Sequence, residues 1–135
     1  MNRARDWLTQ ARRDLEHARR SIDLEHFEWA CFAAQQAAEK AAKALHMHLG
    51  TIAWGHSVFE LLDGLPDATR PAGALLDQAK MLDRFYIPAR YPNAHPAGPS
   101  FQFYTRTDAE QGVAAAEAVV SYCERHISQA RQHPN

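Results

Sequence analysis

The sequence predicts an all-α protein, an antiparallel four-helix bundle with one additional short helix. Three observations lead there. Apolar residues recur at steps of three and four instead of alternating, a spacing that places them on one side of a helix and on neither face of a strand. Serine or threonine stands three residues ahead of glutamate where two apolar runs begin, as in a helix-capping box. Glycine and proline fall between the periodic segments.

The first helix carries Trp7, Ala11, Leu15, Ala18 and Ile22 as its apolar stripe, with charged residues opposite. A break over 21–26 separates it from a longer helix, FEWACFAAQQAAEKAAKALHMHLG, which Gly50 ends by adopting a left-handed conformation. Its alanines favour helix and let neighbouring helices approach closely, so this is the expected central element. Ser57 and Glu60 open a short third helix that stops near Gly64 and Pro66. After Thr69 and Pro71, the residues Leu75, Leu76, Ala79, Met81 and Leu82 give a fourth helix ending near Phe85.

A loop follows from about Ile87 to Arg106, with prolines at 88, 92, 96 and 99 that suit neither helix nor central strand. It is long for a plain connector. Thr107 and Glu110 form the second box, opening a last helix whose stripe is Ala109, Val113, Ala116, Val120, Cys123 and Ile127. The tail after Ala130 is polar and expected to fray. The tetrapeptide DLEH occurs at 14–17 and at 23–26, but its surroundings do not repeat.

The chain has 135 residues, 46% of them hydrophobic, which suffices for one core and predicts a single domain. A net charge of −1 argues against wholesale electrostatic binding to nucleic acid. A local basic face is still available. Six arginines against Asp6, Asp14 and Glu16 in the first twenty residues read as a solvated helix face or as an RNA-contacting one.

Cys31 and Cys123 lie in apolar helical patterns and read as buried thiols of a reducing compartment. No apolar leader segment is evident at the N-terminus, and Gln35, Gln36, Glu39, Lys40 and Lys43 interrupt the apolar run from Phe27 to Leu49. A cytoplasmic protein without membrane insertion is expected. His46 and His48 point in different directions on a helix, so no metal site is expected, and the absence of a phosphate-cradling glycine loop suggests no cofactor.

Chemistry concentrates in LDRFYIPARYPNAHP, residues 82–96. Arg90 offers a planar fork of donors for phosphate oxygens, and His95 titrates near neutrality. Together they suit RNA cleavage without metal: imidazole moves the proton and guanidinium stabilises charge on the phosphate oxygens. Tyr86 and Tyr91 are candidates to stack on a base. Side chains five positions apart diverge by about 140° on an ideal helix, so a turn, or two subunits sharing a cleft, must bring the pair together. A plain structural loop fits the same residues. On the central helix, Glu39 and Lys43 are one turn apart and pair on one face, and His56 and Asp83 can complete either a buried polar network or a cleft.

These segments together resemble the HEPN domain family, in its small stand-alone prokaryotic form. The resemblance covers nearly the whole chain and rests on ARDWLTQARRDLEHA, FEWACFAAQQAAEKAAKAL, GHSVFELL and LDRFYIPARYPNAHP. It implies a bundle of four or five helices, a homodimer or higher homo-oligomer, and frequent pairing with a minimal nucleotidyltransferase. Many such domains resemble toxin-like, metal-independent endoribonucleases with arginine, four to six residues, then histidine, a spacing that Arg90 and His95 fit. Others resemble non-catalytic modules that bind a nucleotide or dock on the nucleotidyltransferase. The resemblance thus casts Arg90 and His95 as catalytic, with RNA or a nucleotide as ligand, and the residues expected to support them are Asp83, Tyr86, Tyr91, Glu39, Lys43 and His56. Two departures stand out: Ala97 takes the place of a tyrosine found in one nuclease branch, and prolines hold the motif in a loop where a helix start is usual.

Overall fold

The computed structural model describes residues 2–87 and 89–132, the side chains of 129–132 excepted. Five α-helices follow in order: α1 (Ala4–Asp23), α2 (Phe27–Leu49), α3 (Val58–Asp63), α4 (Gly73–Asp83) and α5 (Arg106–Gln132). Two short 3₁₀ turns, Pro92–Ala94 and Ser100–Phe103, lie between α4 and α5, and no strand occurs among the described residues. The all-helical bundle and the order of its elements follow the sequence expectation. Pro88 and the residues after Gln132, part of the expected proline-rich loop and polar tail, lie outside the described residues.

The helix α2 packs against every other α-helix. Its sequence explains why. Ala30, Ala34, Ala37, Ala38, Ala41, Ala42 and Ala44 have no exposed surface, so each neighbouring backbone comes close with little side-chain entropy lost. The larger apolar side chains come from elsewhere: Leu8 and Leu15 of α1, Leu61 and Leu62 of α3, Leu82 of α4, and Val119 and Ile127 of α5 all join one core cluster. Gly50 ends α2 at φ 73°, with its N–H bonded to the Met47 carbonyl, a left-handed cap in which a side chain would be strained.

Charged pairs fasten the outer faces. Arg12 meets Glu124, Arg19 meets Glu117 at 3.2 Å, and Lys40 meets Asp14 at 2.5 Å. Buried His46 ties the end of α2 to α3, its Nε2–H donating to the Leu61 carbonyl at 2.7 Å while Nδ1 meets Thr51 Oγ1 at 2.7 Å. Its ring is thereby committed to structure.

The first residues of α5 differ from expectation. The helix starts at Arg106, and the box is made by Thr105 and Asp108: the Thr105 N–H donates to Asp108 Oδ2 at 3.0 Å and the Asp108 N–H to Thr105 Oγ1 at 3.1 Å. Tyr104 and Ala109 flank this box in one apolar cluster, a hydrophobic staple that selects the earlier frame. At α3 the expected Ser57 cap is present, accepting the Glu60 N–H at 3.0 Å.

Both cysteines are free and buried. Burial pushes the Cys123 thiol up to about 12, and burial, with Asp108 and Glu28 nearby, raises Cys31 to about 12. Below that pH the native thiols stay protonated and unreactive, because the thiolate is the nucleophile. Alkylation with iodoacetamide at pH 8 is therefore expected to be slow in the folded protein and to accelerate, for both cysteines, on addition of denaturant. Fast modification of either native thiol contradicts this packing.

Candidate functional site

The turn after α4 brings Arg90 back over α2. Its guanidinium carbon lies 4.5 Å from the ring centre of Phe32, 4.9 Å from that of Tyr86 and 4.9 Å from that of Tyr91, while its Nε–H donates to the Tyr86 carbonyl at 3.1 Å. Three aromatic faces and one carbonyl therefore hold the planar cation. Among the described residues it has no carboxylate partner. An arginine fixed in this way keeps its full charge and its terminal fork for an outside anion, because aromatic quadrupoles stabilise a cation without neutralising it.

Beside it, the ring of Tyr86 carries His56, stacked at 4.6 Å and 17°. Gly55, at φ 82°, makes the turn that delivers His56 to this position. Two links to α2 then hold the residue. Gln35 donates to the His56 carbonyl at 2.9 Å, and Nδ1 of the imidazole is 3.2 Å from each oxygen of Glu39. With Nδ1–H directed at the carboxylate, Nε2 is left as the nitrogen open to chemistry. The side chain of His56 is 57% exposed.

Glu39 itself is only 5% exposed. Such a carboxylate needs partners, and it has them: Lys43 Nζ at 3.0 Å, Gln35 Nε2 at 3.2 Å and the His56 ring. Lys43 also lies 5.9 Å from the Trp7 ring, which ties the network to α1. The polar cluster is thus one connected system of α2 and the α2–α3 connection, with a buried anion at its centre and one imidazole at its edge. A groove of about 220 Å³ opens next to it, lined by Asp14, His17, Trp29, Phe32, Gln36 and Lys40 among others.

Asp83 takes a different role. Its carboxylate accepts the Ser57 hydroxyl at 2.7 Å and the N–H groups of Val58 and Phe59 at 2.6 and 3.2 Å. The end of α4 therefore caps the start of α3 and fixes Ser57, the neighbour of His56. His95 is half-buried, its ring flat against Phe103 at 4.2 Å and 1° and edge-on to Tyr104 at 5.9 Å. Arg90, Tyr86, Tyr91, His56, Glu39 and Lys43 thus form one linked set. His95 is held by a second set of rings further along the same loop.

A family model of the HEPN domain matches residues 4–126. The chain belongs to the HEPN family. Solved structures agree: the protein TT1696 from Thermus thermophilus is 52% identical with a TM-score of 0.90, the match covering 93% of this chain and 98% of that one. The archaeal HEPN homologue ST0689 is 37% identical at a TM-score of 0.80, covering 94% and 99% of the two chains. A HEPN domain protein from Thermotoga maritima, TM0613, is 36% identical at a TM-score of 0.74, covering 91% and 98%. None of the curated proteins compared with the chain matches it.

In this HEPN fold, two aromatic residues that no sequence motif marks pack the candidate side chains. Phe32 sits in the apolar run of α2, and its ring is the floor under Arg90. Phe103, in the aromatic run FQFY at the end of the proline-rich loop, packs the ring of His95. Aromatic residues beside a loop arginine and histidine were the available clue, but only the path of the chain pairs them. No helix of the described residues is long and apolar enough to cross a membrane.

Proposed function

We propose that this HEPN domain is a metal-independent endoribonuclease acting on single-stranded RNA. The observation that carries the reading is Arg90, a half-buried guanidinium caged by Phe32, Tyr86 and Tyr91 with no carboxylate against it among the described residues. Such a group is a phosphate site whose orientation is set before the ligand arrives, so it acts on the transition state without reorganising. Arg90 stabilises charge on the non-bridging oxygens. His95, five residues on, transfers the proton.

Exposed Tyr91, at 46%, and the groove beside Phe32 offer an unpaired nucleotide a ring to stack on and space to enter. Glu39, Lys43, His56, Tyr86 and Asp83 support this site. The active unit is a homodimer or higher oligomer whose two loops share one cleft, and in its cellular setting the chain is one half of a toxin-like pair with a minimal nucleotidyltransferase.

A second reading has an observation of its own. The flat packing of His95 on Phe103 is the environment of a structural imidazole, and it favours a non-catalytic module that binds a nucleotide through Arg90 or docks on the nucleotidyltransferase. End-labelled single-stranded RNA incubated with the full chain in EDTA separates the two. The nuclease reading expects 2′,3′-cyclic phosphate and 5′-hydroxyl ends that disappear with His95→Ala; RNA left intact by the wild type, with nucleotide binding retained, supports the module.

A further inference from the structure

Cleavage of RNA through its own 2′-hydroxyl needs two proton transfers. One group removes the proton of the 2′-oxygen as that oxygen bonds to phosphorus, and another protonates the departing 5′-oxygen as its bond to phosphorus breaks. Each chain supplies a single imidazole from the loop between Arg90 and His95, so a second one from the same chain has to come from another element. Taking the nuclease reading as its premise, we infer that His56 is the second catalytic imidazole of the same chain, the general base that takes the 2′-hydroxyl proton at Nε2, with Glu39 as the residue that positions it.

Three features of the structure converge on this role. The first is location: His56 and Arg90 both pack on the ring of Tyr86, at 4.6 and 4.9 Å, so one side chain joins the imidazole to the guanidinium that receives the phosphate. The second is orientation. Glu39 receives Nδ1–H with both oxygens at 3.2 Å, which fixes the tautomer, directs the lone pair of Nε2 outward and stabilises the imidazolium that forms once the proton is taken. The third is access, since the His56 side chain is 57% exposed whereas Glu39 and Gln35, which hold it, are buried. A histidine whose backbone and Nδ1 are both tied to a buried network, while its side chain is more than half exposed, is built as a proton acceptor.

The steps balance. The proton of O2′ passes to His56 Nε2, the O2′–P bond forms, the P–O5′ bond breaks, and His95, protonated beforehand, gives its proton to O5′. A 2′,3′-cyclic phosphate and a 5′-hydroxyl leave, and exchange of one proton with water resets both rings. Arg90 carries the charge on the non-bridging oxygens throughout.

The assignment is tested with two substrates, an RNA with its natural linkage and one with sulfur in place of the bridging 5′-oxygen at the cleaved position. A thiolate departs without being protonated, so the second substrate needs a base and no acid. His56→Ala is expected to slow cleavage by roughly 10²- to 10⁴-fold on both substrates, whereas the loss in His95→Ala is largely recovered on the sulfur-bridged one. His56→Asn, whose amide still donates to Glu39, should melt like the wild type and cleave as slowly as His56→Ala. In the neutral form of the ring, ¹⁵N spectra of the wild type should show the proton on Nδ1, and Glu39→Gln should mix the tautomers. The inference is overturned if His56→Ala cleaves natural RNA at the wild-type rate, if its loss vanishes on the sulfur-bridged substrate, or if His56→Asn restores the rate; each leaves the nuclease reading standing. A wild type inert on both substrates removes that reading, and the role of His56 falls with it.

Discussion

Arg90→Ala is expected to lower RNA cleavage by roughly 10²- to 10³-fold while the protein stays folded. The rate falls because the guanidinium is the only described cation set over three aromatic rings in the loop, and without it the phosphate loses its charge partner where negative charge grows. Stability changes less. The rings of Phe32 and Tyr86 also contact each other and their own neighbours, so loss of the cation costs about 1 kcal/mol, visible as a small drop in Tm. Arg90→Lys separates charge from geometry. Lysine keeps the positive charge but lacks the planar fork that lies over the rings, donates to the Tyr86 carbonyl and still meets two phosphate oxygens. It should recover little of the rate. A Lys variant as active as the wild type would show that a point charge suffices and that the aromatic cage is incidental.

The largest effect on folding is expected at Asp83. Its two oxygens take three hydrogen bonds from Ser57, Val58 and Phe59, joining α4 to the start of α3. Alanine leaves these donors without their acceptor and the α3 N-terminus without its negative charge, at a cost of about 2–3 kcal/mol, on the order of 10 °C in Tm for a chain of this size. Asparagine recovers part of that, since one oxygen remains while its amide meets donors where an acceptor is needed. Both variants shift the chain beside His56, so cleavage falls as well, but in proportion to the loss of structure. Thermal unfolding followed by circular dichroism checks the first claim. An Asp83→Ala protein that melts with the wild type and yet has no activity would contradict the capping role and move Asp83 into the chemistry.

The five helices were legible because each buries a stripe whose spacing survives in the sequence, and α2 was recognisable as the centre because only alanine permits contact on so many sides. Helix starts were less so. Thr105 and Thr107 each stand three residues before an acid, and local pattern cannot choose between the frames; the apolar cluster that takes in both Tyr104 and Ala109 goes with the first. In the candidate site, the residue types were legible and their partners were not. Glu39, Lys43 and His56 were candidates by spacing on a helix and by position before a cap, and they do meet. Asp83 was placed with them but faces the α3 amides. Arg90 and His95 stood out by chemistry, whereas the cage around one and the ring stack on the other depend on Phe32 and Phe103, which are 58 residues before and 8 after those positions in the sequence. Contacts of that range come from the fold, since no local periodicity encodes them.

The phosphate site at Arg90 is tested most directly by a crystal structure of the full chain with a short RNA whose attacking 2′-hydroxyl is replaced by hydrogen and whose scissile linkage carries a non-bridging sulfur, located by its anomalous scattering. The sulfur is expected within hydrogen-bonding reach of the Arg90 guanidinium, with His56 Nε2 on the side of the 2′-position. A sulfur peak elsewhere on the bundle, with Arg90 facing solvent and no oligonucleotide against it, would contradict the account.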